Sequence, residues 1–183
     1  MMQVESVGPA SWVARVARSV AVGIVGPRSL TRMQNDWVKR ELAAELRTVA
    51  DGASERRLLA PLAAELEHEI ASLALGEGFG LEVVVPAEAF RSSFDPTLRA
   101  SFDALVAQAR EQTTLTYAER SDRALDAAAT FILFYSDVVW VVLDGDTTAR
   151  ADRGLSILGE ARIHGRRVVL FDPLEQRVIR PAR

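Results

Sequence analysis

The chain has no cysteine, a single lysine, two histidines and no apolar run long enough to cross a bilayer. The first absence excludes disulfides, a thiol nucleophile and thiolate metal sites. With only His68 and His164 available, a histidine-rich metal centre is excluded as well, and neither a metal nor a cofactor is expected. His68 lies among Glu65, Glu67 and Glu69 and lacks the i, i+4 histidine partner of a zinc helix, so it reads as part of a solvated polar face. His164 precedes Gly165 at a helix end, where a cation is favourable. Ser92, Ser93 and Ser136 have no evident histidine partner for a catalytic triad. Residues 1–19 lack the continuous apolar core of a signal peptide, so they read as an N-terminal arm and the protein as cytoplasmic, with no membrane partner.

What is present suits one soluble domain. The 183 residues are 49% apolar and 26% charged, enough for one real core, assigned to residues 20–183. A net charge of −3 carries no electrostatic footprint for nucleic acid, so no nucleic-acid partner is expected. Twenty-one of the 22 basic residues are arginine, with Lys39 the exception. Arginine suits bidentate phosphate recognition, and a genomic bias explains the same count.

The most informative stretch is Val20-Ala21-Val22-Gly23-Ile24-Val25-Gly26-Pro27-Arg28. A β-branched run that stops at Gly-Pro-Arg-Ser reads as a parallel strand buried on both faces, ending in a tight turn. A helix follows to about Ala50, capped by Ser29 or Thr31, with Val38, Leu42, Leu46 and Val49 on one face. Further strands are expected at Arg57–Pro61, Leu81–Pro86, Thr113–Tyr117, Asp137–Leu143 and Arg166–Phe171, with a tail strand around Arg177 to Ile179. Helices are expected at about Leu62–Leu75, from Leu98 to Ala109, at Asp122–Tyr135 and at Gly154–Ile163. The alternation predicts an α/β fold, a doubly wound and mostly parallel sheet in a Rossmann-like three-layer sandwich. The helix segment 127–135 is apolar nearly all round and calls for cover on both sides, under the sheet edge or in a homodimer.

These residues resemble the SLOG superfamily, the Rossmann-like group of the DNA-processing DprA proteins and the LOG nucleotide hydrolases. The resemblance runs from about Val20 to Pro173. Val22 to Arg28 is similar to the opening strand and its Gly-His-Arg turn, with Pro27 where histidine is usual. Leu58 to Ala63 is similar to the second strand, Leu81 to Pro86 with Phe90 and Phe94 to the third strand and its aromatic loop. Ser136 to Gly145 resembles the Ser-Asp-hydrophobic-Asp-Gly strand, and Ala161-Arg162 with Arg167 to Asp172 the last helix and strand. The departures fall at the phosphate turns. The Gly-Ala-Asp positions are assigned to Glu65-Leu66-Glu67, and the Gly-Gly-Thr cradle to Asp152-Arg153-Gly154. The Pro-Gly-Gly-x-Gly-Thr-x-x-Glu string of the hydrolytic members is absent.

The resemblance implies a nucleotide or nucleotide-derived ligand, bound or sensed without robust catalysis. Its expected contacts are Gly26, Pro27, Arg28 and Ser29 on one wall, with Gly145, Arg153 and Gly154 on the other. Arg28 reads either as a phosphate contact or as a solvated surface charge, and Arg153 either as a phosphate fork or as a partner of Asp152 or Glu160. Two alternatives stand beside this reading. One is a nucleoside or nucleotide N-glycosidase with Asp144 or Glu160 as the acid, although Asp144 equally suits a turn or helix cap. The other is a scaffold acting through protein contacts of the 127–135 helix.

Overall fold

The computed structural model describes residues 19–27, 30–50, 53–145 and 156–180. The N-terminal arm and the expected contacts Arg28, Ser29, Arg153 and Gly154 lie outside the described residues. Seven strands form one sheet: β1 (Ser19–Val25), β2 (Glu55–Ala60), β3 (Gly80–Val85), β4 (Glu111–Thr114), β5 (Val138–Val142), β6 (Arg167–Asp172) and β7 (Arg177–Ile179). Their order is β4-β3-β2-β1-β5-β6-β7, parallel throughout except for the antiparallel β6–β7 pair. The helices are α1 (Arg32–Ala50), α2 (Glu65–Gly76), α3 (Pro96–Val106), α4 (Asp122–Tyr135) and α5, described over 156–163. A 3₁₀ turn, Phe90–Ser93, links β3 to α3. This is the expected doubly wound α/β sandwich.

The two-residue period of the strands divides the core into two layers. On one face Val22, Ile24, Leu58, Leu81, Val83 and Trp140 pack against Val38, Leu42, Leu46, Leu66 and Ile70 of α1 and α2. On the other, Ala21, Val25, Leu59, Val139, Val141 and Leu170 pack against Ala128, Ile132 and Leu133 of α4 and Ala161 of α5. Gly23 faces α4, and a Cβ there would stand 2.3 Å from Ile132 Cγ2 and 2.5 Å from Ser136 Oγ. The Ser-Asp pair of the β5 motif is structural: Ser136 is buried under Gly23, and Asp137 Oδ2 accepts the Ala21 N–H at 2.8 Å. Asp137 also donates its own N–H to the Ala21 carbonyl at 2.8 Å, tying the start of β5 to β1.

Local signals place the helix ends. Thr31 caps α1: its hydroxyl accepts the Gln34 N–H at 3.4 Å, while Gln34 Oε1 accepts the Thr31 N–H at 2.9 Å. Asp95 caps α3 and Ser121 caps α4. The second helix was expected from Leu62 but begins at Glu65. Leu62 is fully buried with φ 53°, left-handed backbone that cannot enter a right-handed helix. The fourth strand is Glu111–Thr114, two residues earlier than expected.

The apolar α4 buries Ala124, Ala128, Ala129, Ile132 and Leu133 against the sheet. Its other side is only partly covered: Phe134 is 40% and Tyr135 61% exposed, and Tyr135 stacks on Phe131 at 4.4 Å between centroids.

Candidate functional site

Parallel strands bring their carboxyl ends to one edge of the sheet, and the winding reverses between β1 and β5. Ligands of open α/β sheets sit at that edge. A cavity of about 390 Å³ opens there, walled by the Gly26-Pro27 turn after β1, the Pro61–Ala64 turn after β2 and the start of α4, with Glu67 lining it. The expected contacts Gly26 and Pro27 therefore do line a cleft. Among the described residues the opposite wall is the segment that leads into α4. Arg120, Ser121, Asp122 and Leu125 form it, where the loop after β4 enters α4.

Glu67 gives the cleft its particular character. Its side chain is buried beneath the first turn, and Glu65, two residues earlier, is exposed. Glu67 Oε1 accepts the Gly26 N–H at 2.9 Å. Its Oε2 accepts the Ala64 N–H at 3.3 Å and also the Ala63 N–H. A carboxylate thus sits where the Pro61–Ala64 turn and the β1 turn both present backbone donors, and the dipole of α2 favours that charge. A Cβ on Gly26 would lie 2.6 Å from Glu67 Oε1, so the chain's own carboxylate requires the glycine. The assignment of Glu65-Leu66-Glu67 to the second turn is corrected accordingly: these residues form the first turn of α2, and the turn itself is Pro61–Ala64.

The other described positions separate. Gly145 packs against α1, since a Cβ there would stand 2.5 Å from Gln34 Oε1. Asp144 is buried at the carboxyl end of β5, but it does not line the cavity among the described residues. Glu160 is exposed on α5, with Oε2 3.6 Å from His164 Nε2, and is likewise absent from that lining.

Arg120 was not anticipated. Its guanidinium carbon lies 5.4 Å from the Phe90 ring centre and 5.7 Å from that of Phe94, and Nη2 donates to the Ala63 carbonyl at 3.2 Å. Two ring faces and one carbonyl hold a permanent cation at the lip of the cleft. The only sequence signal was an arginine just before the Ser121 cap, which is common on any surface.

His68 is the second correction. It is buried, not solvated: Nε2 lies 2.9 Å from the Leu62 carbonyl oxygen and Nδ1 2.9 Å from Ser101 Oγ. The carbonyl can only accept, so Nε2–H donates and Nδ1 accepts from the serine, the neutral tautomer. Burial pushes the imidazole below its ordinary value of 6.5, against opposing contributions from the Leu62 bond and Glu65. The unfolded chain therefore binds the proton more readily than the folded one. The stabilisation is complete above pH 6.5 and is lost as pH falls from 6.5 through the depressed folded value. Stability measured by urea denaturation is expected to fall across that window, and the slope to flatten in His68→Gln. An unchanged slope in the variant would refute the assignment.

No family sequence model matches the chain, and no curated protein matches it by sequence. Solved structures do. DNA processing protein A from Helicobacter pylori, described for its single-stranded DNA binding mode, is 14% identical with a TM-score of 0.58, over 82% of this chain and 64% of that one. DprA from Streptococcus pneumoniae is 16% identical with a TM-score of 0.59, over 85% of this chain and 53% of that one. The chain shares their α/β fold. This chain spans 64% and 53% of those two DprA chains. The molybdenum cofactor carrier protein of Chlamydomonas reinhardtii is 16% identical with a TM-score of 0.50, over 84% of this chain and 76% of that one.

The same α/β fold thus occurs in a protein described for single-stranded DNA binding and in a molybdenum cofactor carrier protein. The expectation of no nucleic-acid partner is overturned by the first of these. Net charge sums the whole surface, whereas strand binding depends on the local one, so −3 excluded less than it was asked to exclude. Among the described residues no helix is long and apolar enough to cross a membrane, and no three metal-capable side chains cluster.

Proposed function

We propose that the chain is a ligand-binding module that takes a nucleotide-derived small molecule in the cleft above β1 and β2. The observation that carries this reading is the cavity itself. Its 390 Å³ lies within the range of small-molecule sites, at the sheet edge where such folds place ligands. Pro27, Pro61 and Leu125 supply apolar surface, and Arg120 supplies a fixed donor. The bond to Ala63 uses one guanidinium N–H, and the others can serve a ligand. Arg28 and Ser29 continue the Gly26-Pro27 turn in sequence and complete the proposed contacts on that wall. Binding without robust catalysis is favoured because the candidate acids Asp144 and Glu160 stand apart from the cavity lining.

The test is calorimetry of the whole chain against a panel of nucleosides, nucleotides and dinucleotides. At least one is expected to bind, and Arg120→Ala to weaken it by about tenfold, the loss of one good polar contact. Failure of every member of the panel to bind would overturn the reading.

A further inference from the structure

Among the described residues, the two turn glycines expected at a phosphate site are both closed by the chain's own side chains. Gly145 lies under Gln34, and Gly26 lies against Glu67. At the second of these the donors themselves are taken. The Gly26, Ala63 and Ala64 amides, drawn from two different turns, converge on one carboxylate that is 2% exposed. An anion brought to the Gly26 amide would compete for the same N–H and would meet Glu67 Oε1, which is 2.9 Å from that nitrogen. Two anions sharing one set of donors repel, and a low-dielectric wall sharpens the repulsion. Expelling Glu67 would leave three amide donors and a buried carboxylate to be re-solvated. Beside Glu67 the lining offers Pro27 and Pro61, surface that suits a flat, uncharged ring, while Arg120, Ser121 and Asp122 supply the polar groups of the opposite wall.

Building on the ligand-binding reading above, we infer that Glu67 is an internal anion that sets specificity: the cleft accepts an uncharged nucleobase or nucleoside at the first turn and rejects a phosphate there. The α/β fold here keeps the geometry of an anion site while filling it from within. Glu67 acts on the ligand through charge and through its hold on the Gly26 amide. It is a specificity determinant, with no part in bond making.

The test compares adenosine, guanosine, cytidine and uridine with their 5′-monophosphates by calorimetry on the full chain, in wild type and in Glu67→Gln. A nucleoside is expected to bind, its monophosphate to bind about tenfold more weakly, and the gap to close by about tenfold in Glu67→Gln. A wild-type preference for the monophosphate would overturn the inference and leave the ligand-binding reading standing. A Glu67→Gln effect equal on both series would also overturn it, because a merely structural role predicts that result. Absence of binding by both series in the wild type would overturn the inference, and the ligand-binding reading falls with it only when the dinucleotides fail as well. Should Glu67→Gln fail to fold, the wild type answers alone: the Gly26 amide resonance is expected to stay fixed on titration with inorganic phosphate. Movement of that resonance would show that phosphate reaches the amide and would overturn the inference.

Discussion

Glu67→Ala is expected to lower stability by about 3 kcal/mol and the thermal midpoint by about 10 °C, the largest loss from any single polar side chain described. The carboxylate accepts N–H groups from Gly26, Ala63 and Ala64, and truncation strands all three at the join of β1, β2 and α2. Each buried donor left without a partner costs about 1–3 kcal/mol, and water entering from the adjacent cavity offsets part of that sum. The helix also loses the charge at its first turn. Glu67→Gln should fall between wild type and alanine. Its carbonyl can still serve Gly26, but its NH₂ group would face the Ala63 and Ala64 donors. Chemical denaturation of the three proteins checks the order. A Glu67→Ala protein as stable as wild type would mean that the three amides find equivalent partners elsewhere.

Gly23→Ala is expected to be almost as damaging, by about 3 kcal/mol, although it adds one methyl group. The new Cβ would stand 2.3 Å from Ile132 Cγ2 and 2.5 Å from Ser136 Oγ. Both contacts are far inside van der Waals distance, and neither partner can retreat. Ile132 is β-branched and fully buried in α4, and Ser136 is buried at the end of the same helix. The strand and the helix must separate, opening the layer of Ala128, Leu133 and Val139. A double-mutant cycle gives the decisive measurement. Ile132→Ala removes the clashing methyl, so Gly23→Ala combined with Ile132→Ala should be less destabilised than the sum of the two by at least about 1 kcal/mol. Strict additivity would show that the clash is relieved some other way.

The sheet was legible because its signals are local. Val20 to Val25 and Val138 to Val142 are β-branched runs bounded by turn residues, and both are strands buried on both faces. The cap Thr31 lies three residues from the amide it serves, and Asp95 and Ser121, which the structure adds as caps, act over the same short range. The errors came where conformation departs from residue preference. Leu62 adopts φ 53°, a value leucine rarely takes, and it is held there by a buried histidine six residues on. His68 sits among three glutamates, so its sequence surroundings look solvated. On α2 it lies i, i+3 from the buried Ala71, at the rim of the buried face, where Ser101 and Phe102 of α3 cover it.

The sequence by itself determined the order of elements, the doubly wound α/β class and the edge of the sheet where a ligand would sit. Periodicity and capping act over a few residues, and strand direction follows from the alternating helices. Only the tertiary structure decided what occupies that edge. The Gly26 amide is met by Glu67 from 41 residues away, and Ala63 is met by Arg120 from 57 residues away. No spacing rule links such residues, because folding of the sheet alone brings the three turns together. A glycine in a turn reads the same whether it leaves room for a phosphate or for a carboxylate of its own chain, and here the packing shows that it leaves room for Glu67.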